Sequence, residues 1–175
     1  MCYRKRSGSR PPRGAVTLKL ILTLGVLVIM LLATFEFAAI GLLRAALTHA
    51  ATVAAREAGK AATVEPTFSA ADLVPVVQPI VGIHCVTLSD TADSGTKIVL
   101  EMGQPSLPPS VSTWGDSNLS CDPPASPTVA EDEVRVTLCV GLSATPFCDA
   151  LSFFGLPLID NTLRASAVVK KEKYP

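Results

Sequence analysis

Histidine, paired metal-binding cysteines and glycine-rich loops are nearly missing from this sequence of 175 residues. His49 and His84 are the only histidines. No His-x-x-x-His or Cys-x-x-Cys pair occurs, so the usual zinc spacings are excluded. No glycine-rich turn is present to cradle a phosphate. His84 adjoins Cys85, but a Cys–His nucleophile pair needs a free thiolate, and the cysteine count discussed below points to pairing instead. Glu131-Asp132-Glu133 lacks the spaced oxygen ligands of a calcium loop and reads as a solvated turn. His49 reads as solvated on a helix and His84 as structural in a strand. The expectation is a protein that is not an enzyme and holds no cofactor and no metal.

Two other gaps are more informative. No proline occurs between Pro12 and Pro66; each would cost a helix interior about 3 kcal/mol, so the interval permits one long helix. No charge occurs from Leu20 to Phe35, and with Glu36 allowed the apolar run continues to Leu43, 24 residues in all. At about 1.5 Å per residue this is roughly 36 Å, against about 30 Å for a bilayer core. Five basic residues, Arg4, Lys5, Arg6, Arg10 and Arg13, come before Gly14. The positive-inside tendency then places residues 1–14 in the cytoplasm as a basic leader and the C-terminal part outside. A cleaved signal has an apolar core of only about 7–15 residues, so an uncleaved anchor over 15–43 is the better reading. Lipid headgroups suffice to explain the basic flank, and no nucleic acid is needed. Glu36 lies near the outer interface on this count, where a carboxylate is hydrated at small cost.

Residues 44–64 extend the helix beyond the membrane. Arg44, Thr48, Thr52, Arg56 and Lys60 form a polar stripe, and Leu43, Leu47, Ala50, Ala54, Ala58 and Ala61 form a narrow face of mostly small residues on the other side. That face suits close packing, against the chain's own domain or against a neighbouring subunit. The spacing predicts a continuous helix of about 45 residues, near 70 Å long.

From 65 to 175 the pattern is that of a small, mainly β domain. Ser69-Ala70-Ala71-Asp72 resembles a capping box and opens a short helix limited by Pro75 and Pro79. Ile80–Leu88 and Lys97–Met102 read as a hairpin, 104–132 as a long proline-rich loop, and Val134–Leu142 as an alternating strand. Phe147, Leu151, Phe153 and Phe154 mark a short apolar segment, and Leu163–Val169 the last strand. Trp114 reads as a plug that packs the loop onto the domain. Asn118-Leu119-Ser120 matches a glycosylation sequon, a triplet common by chance. Of five cysteines, Cys2 lies in the leader, and Cys85, Cys121, Cys139 and Cys148 lie in the exported part. An even count in an oxidising compartment predicts two disulfides, with three pairings open. The fold class is therefore α+β: a long transmembrane-plus-extended helix followed by a small antiparallel sheet with disulfides.

The segment Arg13-Gly14-Ala15-Val16, the apolar run, Phe35-Glu36-Phe37 and Ala54-Ala55-Arg56-Glu57-Ala58 together resemble the TadE-like family over residues 13–62. Its members are pseudopilin-type subunits of bacterial tight-adherence pilus machinery. The resemblance implies a minor pilin-like subunit in the bacterial inner membrane, taking part in pilus assembly, adhesion or secretion and entering the pilus itself. It implies cleavage between Gly14 and Ala15 by a prepilin peptidase. It also implies other pilin-like subunits and inner-membrane assembly proteins as partners. The family usually carries Glu five residues after the glycine, where this chain has Lys19. Lys19 and Glu36 are thus the assembly candidates. The alternative is a single-pass anchored extracytoplasmic binding domain without a pilus role.

Overall fold

The computed structural model describes residues 13–61, 68–105, 107–125, 128–145 and 161–172. Helix α1 spans Arg13–Ala61, 49 residues without a break, or about 73 Å. A 3₁₀ turn, Ala70–Leu73, leads into α2, Val74–Gly82. Four strands follow: β1 Thr96–Gln104, β2 Leu107–Gly115, β3 Glu133–Gly141 and β4 Thr162–Lys170. They form one antiparallel sheet in the order β2-β1-β3-β4. This is the α+β layout expected from the sequence, with one disulfide, Cys121–Cys139.

Two halves of α1 differ in what surrounds them. From Val16 to Leu31 every residue is exposed. From Leu43 onward α1 packs on β3, β4 and α2. The alternation read in β3 holds: Val134, Val136, Leu138 and Val140 enter the core beside Ile98 and Leu100 of β1, with Leu43, Leu47 and the helix alanines above them. The helix face is wider than the narrow one expected. Ala50, Ala51, Ala54, Ala55 and Ala58 are all fully buried, because the sheet and α2 cover the helix from two sides. β4 runs alongside α1 in the same direction: the Glu172 N–H donates to the Gly59 carbonyl at 3.2 Å, and an added Cβ on Gly59 would lie 3.2 Å from the Lys170 carbonyl oxygen. The start of β4, and with it the 139–141 end of β3, therefore points back toward the apolar half of α1.

The region before β1 departs from expectation. Ile80–Leu88 is not a strand; it is split between the end of α2 and a following turn. Leu73, Val77 and Val81 are buried, a spacing of four that is helical and not alternating. The expected capping box is present: the Asp72 carboxylate accepts from the Ser69 N–H at 2.8 Å. Pro75 sits in the first turn of α2, where its missing N–H has no intrahelical partner to lose. His84 consequently lies in a turn, half-buried, and not in a strand.

The second correction is β2, which occupies the first part of the expected 104–132 loop and pairs with β1 as its hairpin partner. Pro108 and Pro109 argued against a strand, yet β2 is the sheet edge, and both prolines fall where the register with β1 shifts and neither has a ladder partner. A register shift between Met102 and Gln104 bends the same end. Gly103 is required there, since a Cβ would lie 1.8 Å from the Ala130 carbonyl oxygen. Trp114 is held by β2, opposite Ile98, and packs against the main core from the strand and not from a loop. The count of four strands is met with one member exchanged. The apolar segment around Phe147 to Phe154 lies outside the described residues.

Candidate functional site: the anchor helix and the loops beside it

The exposed half of α1 is a candidate membrane span by length and composition, near the N-terminus. It fits a single-pass anchor in a lipid bilayer. Gly14 and Ala15 fall in the first turn of α1, where backbone N–H groups have no intrahelical partner. Lys19 is exposed on the apolar segment, placed for its ammonium to reach headgroups along the helix. Glu36 differs from the expectation of a hydrated carboxylate. It is 6% exposed, between Phe35 at 67% and Phe37 at 62%. Protein, not water, surrounds it, and intramembrane acids characteristically face protein and not lipid. The structure does not bring Lys19 and Glu36 together: they stand 17 residues apart on one helix, about 25 Å.

Loops gather at the anchor-side end of the sheet. The segment after β2 folds back over the outer face, the face opposite the helix. Cys121 and Cys139 close an 18-residue separation and pack with Val99 and Leu119 in a second small core. The Lys97 ammonium donates to the Leu119 carbonyl at 3.0 Å. The buried Arg135 guanidinium pairs with Glu101, directly opposite in the ladder, and donates to the Pro124 carbonyl at 2.8 Å. What reads in sequence as a loose proline-rich loop is thus fixed at three places. The clamp at Cys121 and Cys139 was legible as cysteine content; the Arg135–Glu101 pair was not, since its partners are 34 residues apart in sequence.

Among the described residues Cys85 is free, and it is exposed in a left-handed conformation just after α2. Cys2 and Cys148 lie outside the described residues, so of the two expected disulfides the structure holds Cys121–Cys139. Alkylation of the native chain before reduction is expected to label Cys85 and to leave a peptide pair joined through Cys121 and Cys139. Recovery of alkylated Cys121 from unreduced protein would contradict this. Such a bridge contributes about 2–4 kcal/mol in a domain of this size.

Asp116 anchors the turn out of β2. It is buried and accepts from the Gly95 and Asn118 N–H groups, each at 2.8 Å. The Gly95 bond, above all, holds its carboxyl below the ordinary range, against the opposing push of burial. Its contribution to stability is therefore complete above the ordinary value of about 3.9 and is lost as pH falls through the lower folded value. Asp116→Asn is expected to lower the urea midpoint at neutral pH and to weaken the acid dependence below about pH 4. An unchanged acid limb would remove Asp116 from this role. Neighbouring Asn118 of the sequon is exposed and donates to Asp93 at 2.9 Å.

Among the described residues no group of three His, Cys, Asp or Glu is placed to hold a metal ion. His49 is exposed on α1. The chain matches no family model, no curated protein and no solved structure.

Proposed function

We propose that this chain is a minor pilin-like subunit of a bacterial tight-adherence-type pilus, acting in its assembly or initiation from the inner membrane. The observation that carries the reading is the single helix α1: apolar and bare from Val16 to Leu31, packed on a small antiparallel sheet from Leu43 onward. Subunits that leave a bilayer for a filament need that division, because the bare half exchanges lipid for neighbouring helices while the sheet domain stays intact. In this reading prepilin peptidase cuts between Gly14 and Ala15, and the partners are other pilin-like subunits and inner-membrane assembly proteins.

Lys19 determines the kind of subunit. A new amine at Ala15 seeks a carboxylate from an adjacent chain, and Lys19 adds a second cation there. Like charges in a low-dielectric core repel strongly, so the chain does not polymerise with itself and occupies few positions beside subunits that carry the acid. The same lysine favours the second reading, a plain anchored binding domain whose last basic flank reaches the headgroups. N-terminal sequencing and filament stoichiometry discriminate. A mature start at Ala15 with a few copies per filament is expected. Residues 1–14 still attached, with no chain in the machinery, would establish the plain anchor, and a repeating shaft subunit would defeat the minor role.

Orientation is tested separately. With the basic flank inside, an impermeant thiol reagent applied to outer-membrane-permeabilised cells is expected to label the exposed Cys85. Labelling of Cys85 only after the inner membrane is lysed reverses the topology.

A further inference from the structure

We infer that the anchor-side end of the sheet carries a binding cleft for the phosphate of an anionic lipid headgroup, formed by Arg44 of α1 and Arg164 of β4. This rests on membrane anchorage alone and not on a pilus role. A cleft of about 460 Å³ is lined by Arg44, Arg164, Ser120, Thr162, Leu163 and Asp122, with Cys139 at its wall. Arg164 is held in place by donating to the Asp122 main-chain carbonyl at 2.6 Å. The Arg44 side chain makes no hydrogen bond or ion pair among the described residues and is exposed. The Asp122 carboxylate accepts from the Ser120 hydroxyl at 3.2 Å. Two guanidiniums against one carboxylate leave the cleft cationic, with hydroxyls of Ser120 and Thr162 at its rim.

Its depth matches the headgroup layer. With Lys19 at one interface, about twenty residues cross the hydrocarbon core and reach Ala39. Arg44 stands five residues beyond, about 7 Å, within a headgroup layer of about 5–8 Å per leaflet. The start of β4 points to the same end, so Arg164 arrives at that level from a separate element. A lone interfacial arginine needs only water or scattered headgroups. Two arginines converging on one cleft, one of them fixed by a main-chain bond, present the planar forks that suit phosphate oxygens. Leu163 offers an apolar wall for the glycerol portion.

The test uses the full chain in phosphatidylcholine nanodiscs containing a minor fraction of phosphatidylglycerol, with bound lipid read by native mass spectrometry. Wild type is expected to retain one phosphatidylglycerol. Arg44→Gln with Arg164→Gln is expected to lose retention by about tenfold or more, and the paired Lys substitutions to restore part of it. Lys171→Gln at the far end of β4 is expected to change nothing. A cooperative urea transition followed by Trp114 fluorescence shows that each variant is folded, and recovery in discs reports anchoring independently. Equal retention by wild type and the double Gln variant overturns the site. Retention of inorganic phosphate by the chain in uncharged detergent, without selective retention of phosphatidylglycerol in discs, overturns the headgroup assignment in favour of a soluble anion.

Discussion

Arg135→Ala is expected to destabilise the sheet domain by about 3–5 kcal/mol, because it leaves the Glu101 carboxylate buried without its countercharge. The two side chains are 6% and 8% exposed and directly opposed on β3 and β1. The same substitution removes the donor to the Pro124 carbonyl, so the covering loop loosens as well. A double change, Glu101→Leu with Arg135→Leu, removes both charges from a sheet face that already carries the buried Val99. It is expected to recover most of the loss, since a buried ion pair is often no better than well-packed apolar groups. Urea unfolding of the whole chain in detergent, followed by Trp114 fluorescence, measures both. A single variant within about 1 kcal/mol of wild type would show that water reaches the pair.

The second large effect concerns the helix alanines. Ala54→Glu and Ala55→Glu are both expected to prevent folding of the sheet domain. Each places four extra heavy atoms, a carboxylate among them, where an alanine has no exposed surface, combining overpacking with an unpaired buried charge, at a cost above about 4 kcal/mol. Residues 54 and 55 are about 100° apart round the helix, so a one-sided contact would spare one of them. The structure spares neither, because α2 and the sheet flank α1 together. Arg56→Glu, on the exposed side, is the control and is expected to be tolerated. Limited proteolysis reads the outcome; a protease-resistant domain in the Ala55→Glu variant would mean that α2 does not pack there.

Signals carried by local periodicity were legible. Charge exclusion and missing proline gave α1, because a helix that satisfies its own backbone needs only composition and length. The alternation of Val134, Val136, Leu138 and Val140 gave β3, because a strand with one buried face repeats every two residues. Ser69 and Asp72 gave the start of the short helical segment. The site signals were legible only as residue types: Cys121 and Cys139 as oxidisable thiols, Lys19 and Glu36 as charges in an apolar stretch, Arg44 as one member of a polar stripe.

What the sequence by itself determined, then, is the anchor helix, the α+β class and the inner face of β3, each set by interactions within a few residues. Tertiary structure decided the rest. It made Val74–Gly82 a helix although Val and Ile favour strands, because packing against α1 rewards a spacing of four. It admitted Pro108 and Pro109 into β2 because that strand falls at the sheet edge. It buried Glu36, widened the buried face of α1 to include Ala51 and Ala55, paired Arg135 with Glu101 and brought Arg164 beside Arg44. Each of these depends on which distant segment lies alongside, and no local pattern encodes that, because the free energy resides in contacts between residues far apart in the chain.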